Sequence, residues 1–181
     1  MKVCSASRDF LFHALLTAVV FANVANAGTP GACTGHIPKC KPAKICGSPS
    51  VPCSVWVSEG QSKAYATAQN LAGGHVGGHN KPICVNPGTT ISWSTQEADS
   101  DFIATFGVPH PFSTTPPATA AIFSGHVGAT ANGIASTEGC YQYNLQHSIH
   151  GAAKYADPKV IVTSVRFHHF KSKSEVGSGE K

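Results

Sequence analysis

Short stretches of alternating apolar and polar residues, separated by prolines and glycines, run through most of the sequence. Residues 83–93 read as a strand, a Pro-Gly turn and a second strand, in which Ile91 and Trp93 alternate with polar neighbours. Residues 139–145 alternate strictly, and residues 159–165 are apolar and β-branched. Such strands, with almost no helical periodicity between them, predict an all-β chain folded as a β-sandwich.

The segments between these strands are less regular. Residues 55–57 and 101–106 are predicted as further strands. Residues 61–72 read either as a strand with a loop or as a short helix, because their periodicity fits both. The proline-rich residues 107–121 form neither a helix nor a central strand and are expected to cross between elements. The glycine-rich residues 122–134 are predicted as a loop or a ragged edge strand.

Residues 1–27 have the three parts of a secretory signal peptide. Lys2 and Arg8 make the start positive, residues 10–22 are mostly apolar, and Ala-Asn-Ala at 25–27 supplies small residues for cleavage. The apolar run is shorter than the roughly 20 residues that cross a hydrocarbon core. A buried N-terminal helix is the alternative, but no cap or amphipathic stripe supports it. We therefore expect a cleaved signal and a secreted or periplasmic chain without a membrane span.

Six of the seven cysteines follow this signal, and an even number in an exported chain predicts up to three disulfides. The first four lie in residues 28–53, a proline- and glycine-rich segment expected to be an irregular, disulfide-stapled arm. Six, five and six residues separate these four, unlike the close pairs of zinc sites. The six cysteines are Cys33, Cys40, Cys46, Cys53, Cys84 and Cys140.

The charge of the chain is low and scattered. Its formal net charge is +4, and only 12% of its residues are charged. Scattered basic residues do not form the positive surface that nucleic-acid binding requires, so we expect no nucleic-acid partner. Residues 54–166 are predicted as one sandwich domain, and the polar residues 167–181 as a flexible tail.

Three segments of the chain resemble the cupredoxins, the family of small blue copper proteins. Residues 85–93 (VNPGTTISW) are similar to the family's strand, Pro-Gly turn and aromatic-ended strand. Residues 139–143 (GCYQY) are similar to its Gly-x-Tyr-x-Tyr/Phe strand, and residues 157–162 (DPKVIV) to its closing strand. The segments span about half of the chain in the family's order. The resemblance implies a Greek-key, cupredoxin-like β-sandwich.

The resemblance also shows where copper ligands would be expected: a His after the Trp-bearing strand, then Cys, His and usually Met near the last two strands. Residues 98–102 hold no His, Leu145 stands at the Cys position, and the only Met is Met1. A blue copper site is therefore not expected. Cys140 precedes the Tyr-x-Tyr pair instead of following it, and we expect it to form a disulfide with Cys84, at the start of another strand.

Histidine is the remaining source of metal chemistry. Residues 146–150, read as a loop where the family's second ligand His would be, carry two histidines. Two more, in residues 107–121 and 122–134, could lie at the same end of a sandwich, where three or four imidazoles would bind Cu(II), Zn(II) or Ni(II). The alternative is that all are solvated loop residues. The candidate ligands are His110, His126, His147 and His150; His75 and His79 lie in a glycine-rich loop at 73–80.

No catalytic motif stands out. The sequence has no nucleophile elbow, zinc-protease helix or phosphate-binding glycine loop. Glu97, Asp99 and Asp101 lie close together and read as solvated turn residues. The sequence favours a secreted, non-catalytic, cupredoxin-like binding or structural module without a cofactor and with an unidentified extracellular or periplasmic partner. The alternatives are a His-based copper or zinc carrier, and an electron-transfer protein with a degenerate copper site recruiting Cys140.

Overall fold

The computed structural model describes residues 31–34, 37, 39–78, 81–116 and 118–164. The predicted signal peptide at 1–27 and the predicted tail at 167–181 lie outside the described residues, as does His79.

Twelve strands build the described part of the chain, arranged as two sheets. In chain order they are β1 (Gly31–Ala32), β2 (Cys53–Glu59), β3 (Ala64–Gln69), β4 (His75–Gly77), β5 (Ile83–Val85), β6 (Thr89–Thr95), β7 (Ser100–Phe106), β8 (Ala121–His126), β9 (Thr130–Ala135), β10 (Gly139–Ile149), β11 (Ala152–Ala156) and β12 (Lys159–Val162). The larger sheet has the order β5-β12-β10-β7-β8, and β1 and β11 also pair with β10. The smaller sheet has the order β4-β3-β2-β6-β9.

The described residues contain no α-helix; their one helical turn is a 3-10 turn at Pro42–Lys44. None of them forms a helix with the length and hydropathy needed to cross a membrane. The prediction of an all-β chain with two packed sheets is confirmed.

The core lies between the sheets, because alternate residues of each strand turn inward. Ile91 and Trp93 of β6 are fully buried, as their alternation predicts. Trp93 stacks on Phe123 with ring centroids 4.7 Å apart, and Phe106 stacks on Tyr143 at 4.4 Å. Stacked aromatic pairs add to the free energy gained from burying their large apolar surfaces. This cluster joins the two sheets at the centre of the sandwich.

Several predicted strands agree with the structure. Residues 83–93 form β5, a turn and most of β6; residues 101–106 lie in β7, and residues 55–57 in β2. The ambiguous residues 61–72 contain strand β3 and no helix. The proline-rich residues 107–121 hold no strand before Ala121 among their described positions, as expected.

Residues 122–134 differ from prediction, because they lie in two strands, β8 and β9, rather than in a loop or one ragged edge strand. Two of their glycines, Gly125 and Gly133, allow close packing. A Cβ added at Gly133 would come within 2.6 Å of the Phe123 ring and 2.8 Å of the Phe112 ring. One added at Gly125 would come within 2.8 Å of the Phe102 ring. Glycine therefore lets core aromatic rings lie directly against the strand backbone.

Residues 146–150 also differ, because β10 continues through Ile149 instead of ending in a loop. The strand then reverses at His150 and Gly151, and Ile149 pairs with Ala152 at the start of β11. Both turn residues have positive φ, 49° and 81°, as a two-residue type I′ hairpin requires. A histidine in place of the usual Asn or Asp conceals this turn in the sequence. Strand β4, in the predicted loop at 73–80, was likewise not expected.

The described residues contain three disulfides, the largest number expected from six cysteines. They join Cys33 to Cys140, Cys40 to Cys84 and Cys46 to Cys53. The predicted Cys84–Cys140 disulfide is therefore wrong. In the larger sheet Cys84 of β5 lies opposite Ile161 of β12, and Ile161 lies opposite Cys140 of β10. The two cysteines are two strands apart, about 9–10 Å, beyond the reach of a disulfide.

The N-terminal segment covers this part of the larger sheet from outside. Ile45 bridges to Cys84 and is 1% exposed. Together with Ile161 and Cys140, these residues form a small apolar cluster, separate from the main core, on which Cys33 and Cys40 pack. Two disulfides thus fix the segment to the outer face of the sheet. The disulfides therefore hold in place a segment that has few strand hydrogen bonds of its own.

Candidate functional site

The outer face of the larger sheet, beyond the covered part, carries polar side chains together with the exposed Ile103, Ile122 and Tyr155. Strands β10, β7 and β8 run side by side and place alternate side chains outward. Register aligns these side chains in two rows. The first row is Ser148, Asp101 and His126; the second is Gln146, Ile103 and Ser124.

These six side chains line an open groove of about 510 Å³. Ile103, at its centre, is 39% exposed. The amide Nε2 of Gln146 donates a hydrogen bond to Ser148 Oγ at 3.3 Å. Because each residue stands on a paired strand, the backbone positions from which these side chains project are held before any ligand arrives.

The groove offers hydrogen-bonding groups of mixed type. The Asp101 carboxylate accepts, the Gln146 amide both donates and accepts, and the two serine hydroxyls do the same. His126 adds a ring nitrogen of either kind. Among the described residues that line the groove there is no Lys or Arg. The groove therefore presents one formal charge and many polar contacts, unlike the mostly apolar pockets of drug-like ligands.

Behind this face, the inner side of the same strands carries a second polar group. His147 is fully buried, with Nε2 3.1 Å from Thr95 Oγ1 and 3.3 Å from Glu97 Oε2. Thr95 Oγ1 lies 2.8 Å from Ser100 Oγ, which donates to the Glu97 carbonyl oxygen at 2.5 Å. Among the described residues, none is a hydrogen-bond partner of His147 Nδ1.

This inner cluster extends across both sheets at one end of the sandwich. The Glu59 backbone N–H donates to Glu97 Oε1 at 3.3 Å. Lys154 Nζ donates to Glu59 Oε1 at 2.5 Å and to the Gly60 carbonyl oxygen at 2.7 Å. We call His147, Thr95, Ser100, Glu97, Glu59 and Lys154 the polar end cluster. Because these hydrogen bonds involve charged groups and join residues of the two sheets, the cluster connects one sheet to the other.

The three acids predicted as solvated turn residues have different surroundings. Asp99 fits the prediction: its side chain is 75% exposed and 3.9 Å from His150 Nδ1. Asp101 faces outward beside His126 in the groove. Glu97 differs, because its carboxylate contacts the buried His147.

The structure places the four predicted metal ligands in different surroundings and does not bring them together. His147 points into the core, His126 lies on the outer face, and His150 lies in the exposed β10–β11 turn. His110 is used locally, since its Nδ1 accepts from the Phe112 N–H at 3.2 Å and its Nε2 lies 3.2 Å from the Pro116 carbonyl oxygen. No three His, Cys, Asp or Glu side chains are grouped to hold a metal among the described residues. Copper or zinc binding stays a prediction.

The other predicted residues fall outside the groove. His75 lies in the edge strand β4 and is exposed. Cys140, the thiolate of the degenerate copper alternative, is bonded to Cys33 and is not a free ligand while that disulfide is intact.

Comparisons of the chain with protein-family models, with curated proteins and with solved structures found no match.

The sequence contained a signal for the groove. Residues 139–145 alternate, and the same alternation continues through Gln146 and Ser148, which places both on the outward face. The prediction of a loop at 146–150 left the outward position of these two residues unrecognised. Ser124 was missed because its strand, β8, was not recognised.

Proposed function

We propose that the chain is an exported, non-catalytic, cupredoxin-like binding module whose ligand lies in the outer groove of the larger sheet. The observation that carries the proposal is the groove itself: six outward side chains from three adjacent strands, open to solvent beside a covered, disulfide-bonded half. A surface whose backbone is already held by strand pairing needs less ordering of the main chain on binding.

Export is supported by the cysteines and by residues 1–27. All six cysteines after that segment are paired in disulfides, which persist in oxidising compartments outside the cytosol. Both observations together support a secreted or periplasmic location.

The cupredoxin-like part of the proposal is supported by the connections between strands. The chain changes sheet between β6 and β7, between β8 and β9, and again between β9 and β10, as Greek-key sandwiches do. Two pairs, β2 with β6 and β5 with β12, are parallel within otherwise antiparallel sheets. The segments that resemble the family lie in β5, β6, β10 and β12.

A binding role rather than catalysis is supported by the polar end cluster. Thr95 and Ser100, the hydroxyls nearest to His147, are 2% and 1% exposed, so a substrate would not reach them. Thr95 and Glu97 both contact Nε2 of His147, whereas a nucleophile and an orienting acid would use the two different ring nitrogens. The cluster therefore suits a structural connection.

The test measures retention of the labelled, disulfide-bonded mature protein on the insoluble extracellular fraction of the source cells. We expect Asp101→Ala and Gln146→Ala each to reduce retention. Gln69→Ala is the matched control, because Gln69 is an exposed glutamine on β3 of the other sheet. Equal retention of the groove variants and the control would contradict the proposal. Calorimetric titration with Cu(II) and Zn(II) gives the metal alternative its own test: stoichiometric micromolar binding, lost in a His147→Ala/His150→Ala double variant, would favour it.

A further inference from the structure

We infer that the ligand of the groove is a neutral saccharide chain. This inference rests on the proposed function, because it names the ligand class of the same site. It is drawn from the hydrogen-bonding chemistry, the charge and the shape of the groove.

The hydrogen-bonding groups of the groove match hydroxyl groups. A sugar hydroxyl both donates and accepts, so it pairs equally well with a carboxylate, an amide, another hydroxyl or an imidazole. Asp101, Gln146, Ser124, Ser148 and His126 supply one or more of each. A ligand rich in hydroxyls can therefore replace the water on these groups with contacts of the same kind.

The charge of the groove favours a neutral ligand. Asp101 is the one carboxylate among the described lining residues, and no Lys or Arg stands beside it to attract a phosphate, sulfate or uronate chain. One carboxylate is also too little to attract a polycation. Neutral saccharides are hydroxyl-rich polymers that need neither basic residues nor a cluster of acidic residues for binding.

The shape of the groove favours an extended chain. Strand register aligns Tyr155, Gln146, Ile103 and Ser124 across four strands, a distance of about 14 Å at ordinary strand spacing. Tyr155 and Ile103 are each 39% exposed and give apolar surface for the C–H faces of sugar rings. A polar row with exposed apolar surface at two points suits successive rings better than one compact molecule.

An extended peptide is the competing macromolecule. A peptide added to a sheet bonds to the backbone at a free strand edge. The groove instead lies over the face of β10, β7 and β8, where the backbone of the central strand is already paired on both sides. The side chains therefore have to make the contacts, and their chemistry favours hydroxyls.

The test titrates the disulfide-bonded mature protein, labelled with ¹⁵N, with hexasaccharides of glucose, mannose, xylose and N-acetylglucosamine and with an uncharged control peptide. We expect one or more saccharides to shift amide signals of β7, β8 and β10 saturably, with an affinity between micromolar and about 1 mM. Asp101→Ala and Gln146→Ala should each weaken that binding about tenfold. Gln69→Ala should leave it unchanged, and unfolding curves confirm that each variant is folded.

The outcomes separate this inference from the proposed function. If no saccharide shifts the groove signals at about 10 mM, the saccharide inference is wrong, and it is also wrong if only the peptide does. The proposed function would still hold if the groove variants lose retention on the extracellular fraction. Saccharide binding that persists unchanged in both groove variants would overturn the assignment of the ligand to this groove.

Discussion

The outer face of the larger sheet has two halves that differ in what covers them. The covered half consists of Cys84, Ile161 and Cys140, which pack with Ile45 and with the disulfide partners Cys33 and Cys40. The open half consists of the groove residues at the other end of β10, with Gln146 and Ser148 on that strand. Both halves belong to one sheet and are joined by one strand, β10. The chemistry of the outward side chains makes the difference.

Strand β10 makes the contrast plain, because its outward residues change character along its length. Cys140 is 5% exposed, whereas Gln146 and Ser148 are half-buried and bond to each other. An apolar outward residue gains free energy from a covering segment, and a polar one keeps its contacts with water. The covered half therefore contributes stability, and the open half is free to contribute binding.

The largest expected effect comes from removing the covalent attachment of the covered half. Cys33→Ala/Cys140→Ala opens a loop with a sequence separation of 107, and we expect a loss of about 4–5 kcal/mol in the free energy of unfolding. Urea unfolding measures it. Gln146→Ala, in the open half, should change stability by less than about 0.5 kcal/mol. A similar small change in both variants would remove the distinction between the halves.

A matched pair of isoleucines gives the next largest effect. Ile161 is 5% exposed in the covered half, and Ile103 is 39% exposed in the open half. Ile161→Ala should lose about 2–4 kcal/mol because it leaves a cavity under the N-terminal segment. Ile103→Ala should lose less than about 1 kcal/mol. Equal losses in urea unfolding would show that the groove is as closely packed as the covered cluster.

Alkaline pH should lower the free energy of unfolding because two buried tyrosines lie on the inner side of β10. Burial raises the pKa of the Tyr143 phenol well above its ordinary value, and burial also raises that of Tyr141. The folded state thus favours the protonated phenol. This stabilisation is complete below about pH 10, the pKa of tyrosine in the unfolded chain. It is lost as the pH rises from there toward the higher pKa of the folded state. For Tyr143 we expect unfolding free energy to fall by about 1.4 kcal/mol per pH unit. Tyr143→Phe should reduce this slope, and an unchanged slope would contradict the account.

The smallest effect should come from the non-covalent connection at the far end of β10. Lys154 and Glu59 are paired with side chains 24% and 26% exposed, so Lys154→Met should cost less than about 1 kcal/mol. The cost should shrink somewhat in about 0.5 M salt, because salt reaches and screens the partly exposed ends of the two charges. A loss above about 2 kcal/mol would show that this ion pair holds the sheets together as firmly as a disulfide.

Sequence alternation was enough to predict the sandwich and most central strands, because burial on one face imposes a period of two. Ile91, Trp93 and the alternating residues of β10 are inside or outside as that period requires. The disulfide pairing was beyond reach, because it depends on β12 lying between β5 and β10. Strands β8 and β9 were missed because Gly125 and Gly133 make room for aromatic rings that are distant in sequence.

The period of two along a strand also determines where the candidate site residues face. Whether His147 and His126 could share a metal depends on which side of the sheet each faces. That follows from strand parity, but only once 146–149 is known to be strand. The His150–Gly151 turn conceals it, since turn preferences would place Asn or Asp at the first position. Groove residues on β10 were thus readable in principle, and those on β8 were not.

The Cys33–Cys140 disulfide also determines how the molecule would carry mechanical load. A pull applied on the N-terminal side of Cys33 passes through the sulfur atoms directly to β10. The intervening chain, with a sequence separation of 107, is outside that line of force. About 360 Å of extended polypeptide therefore stays outside that line until this bond and the Cys40–Cys84 bond inside the same loop are both reduced. A thiol reagent would release that length, so the extension of the molecule under force should be short under oxidising conditions and long under reducing conditions.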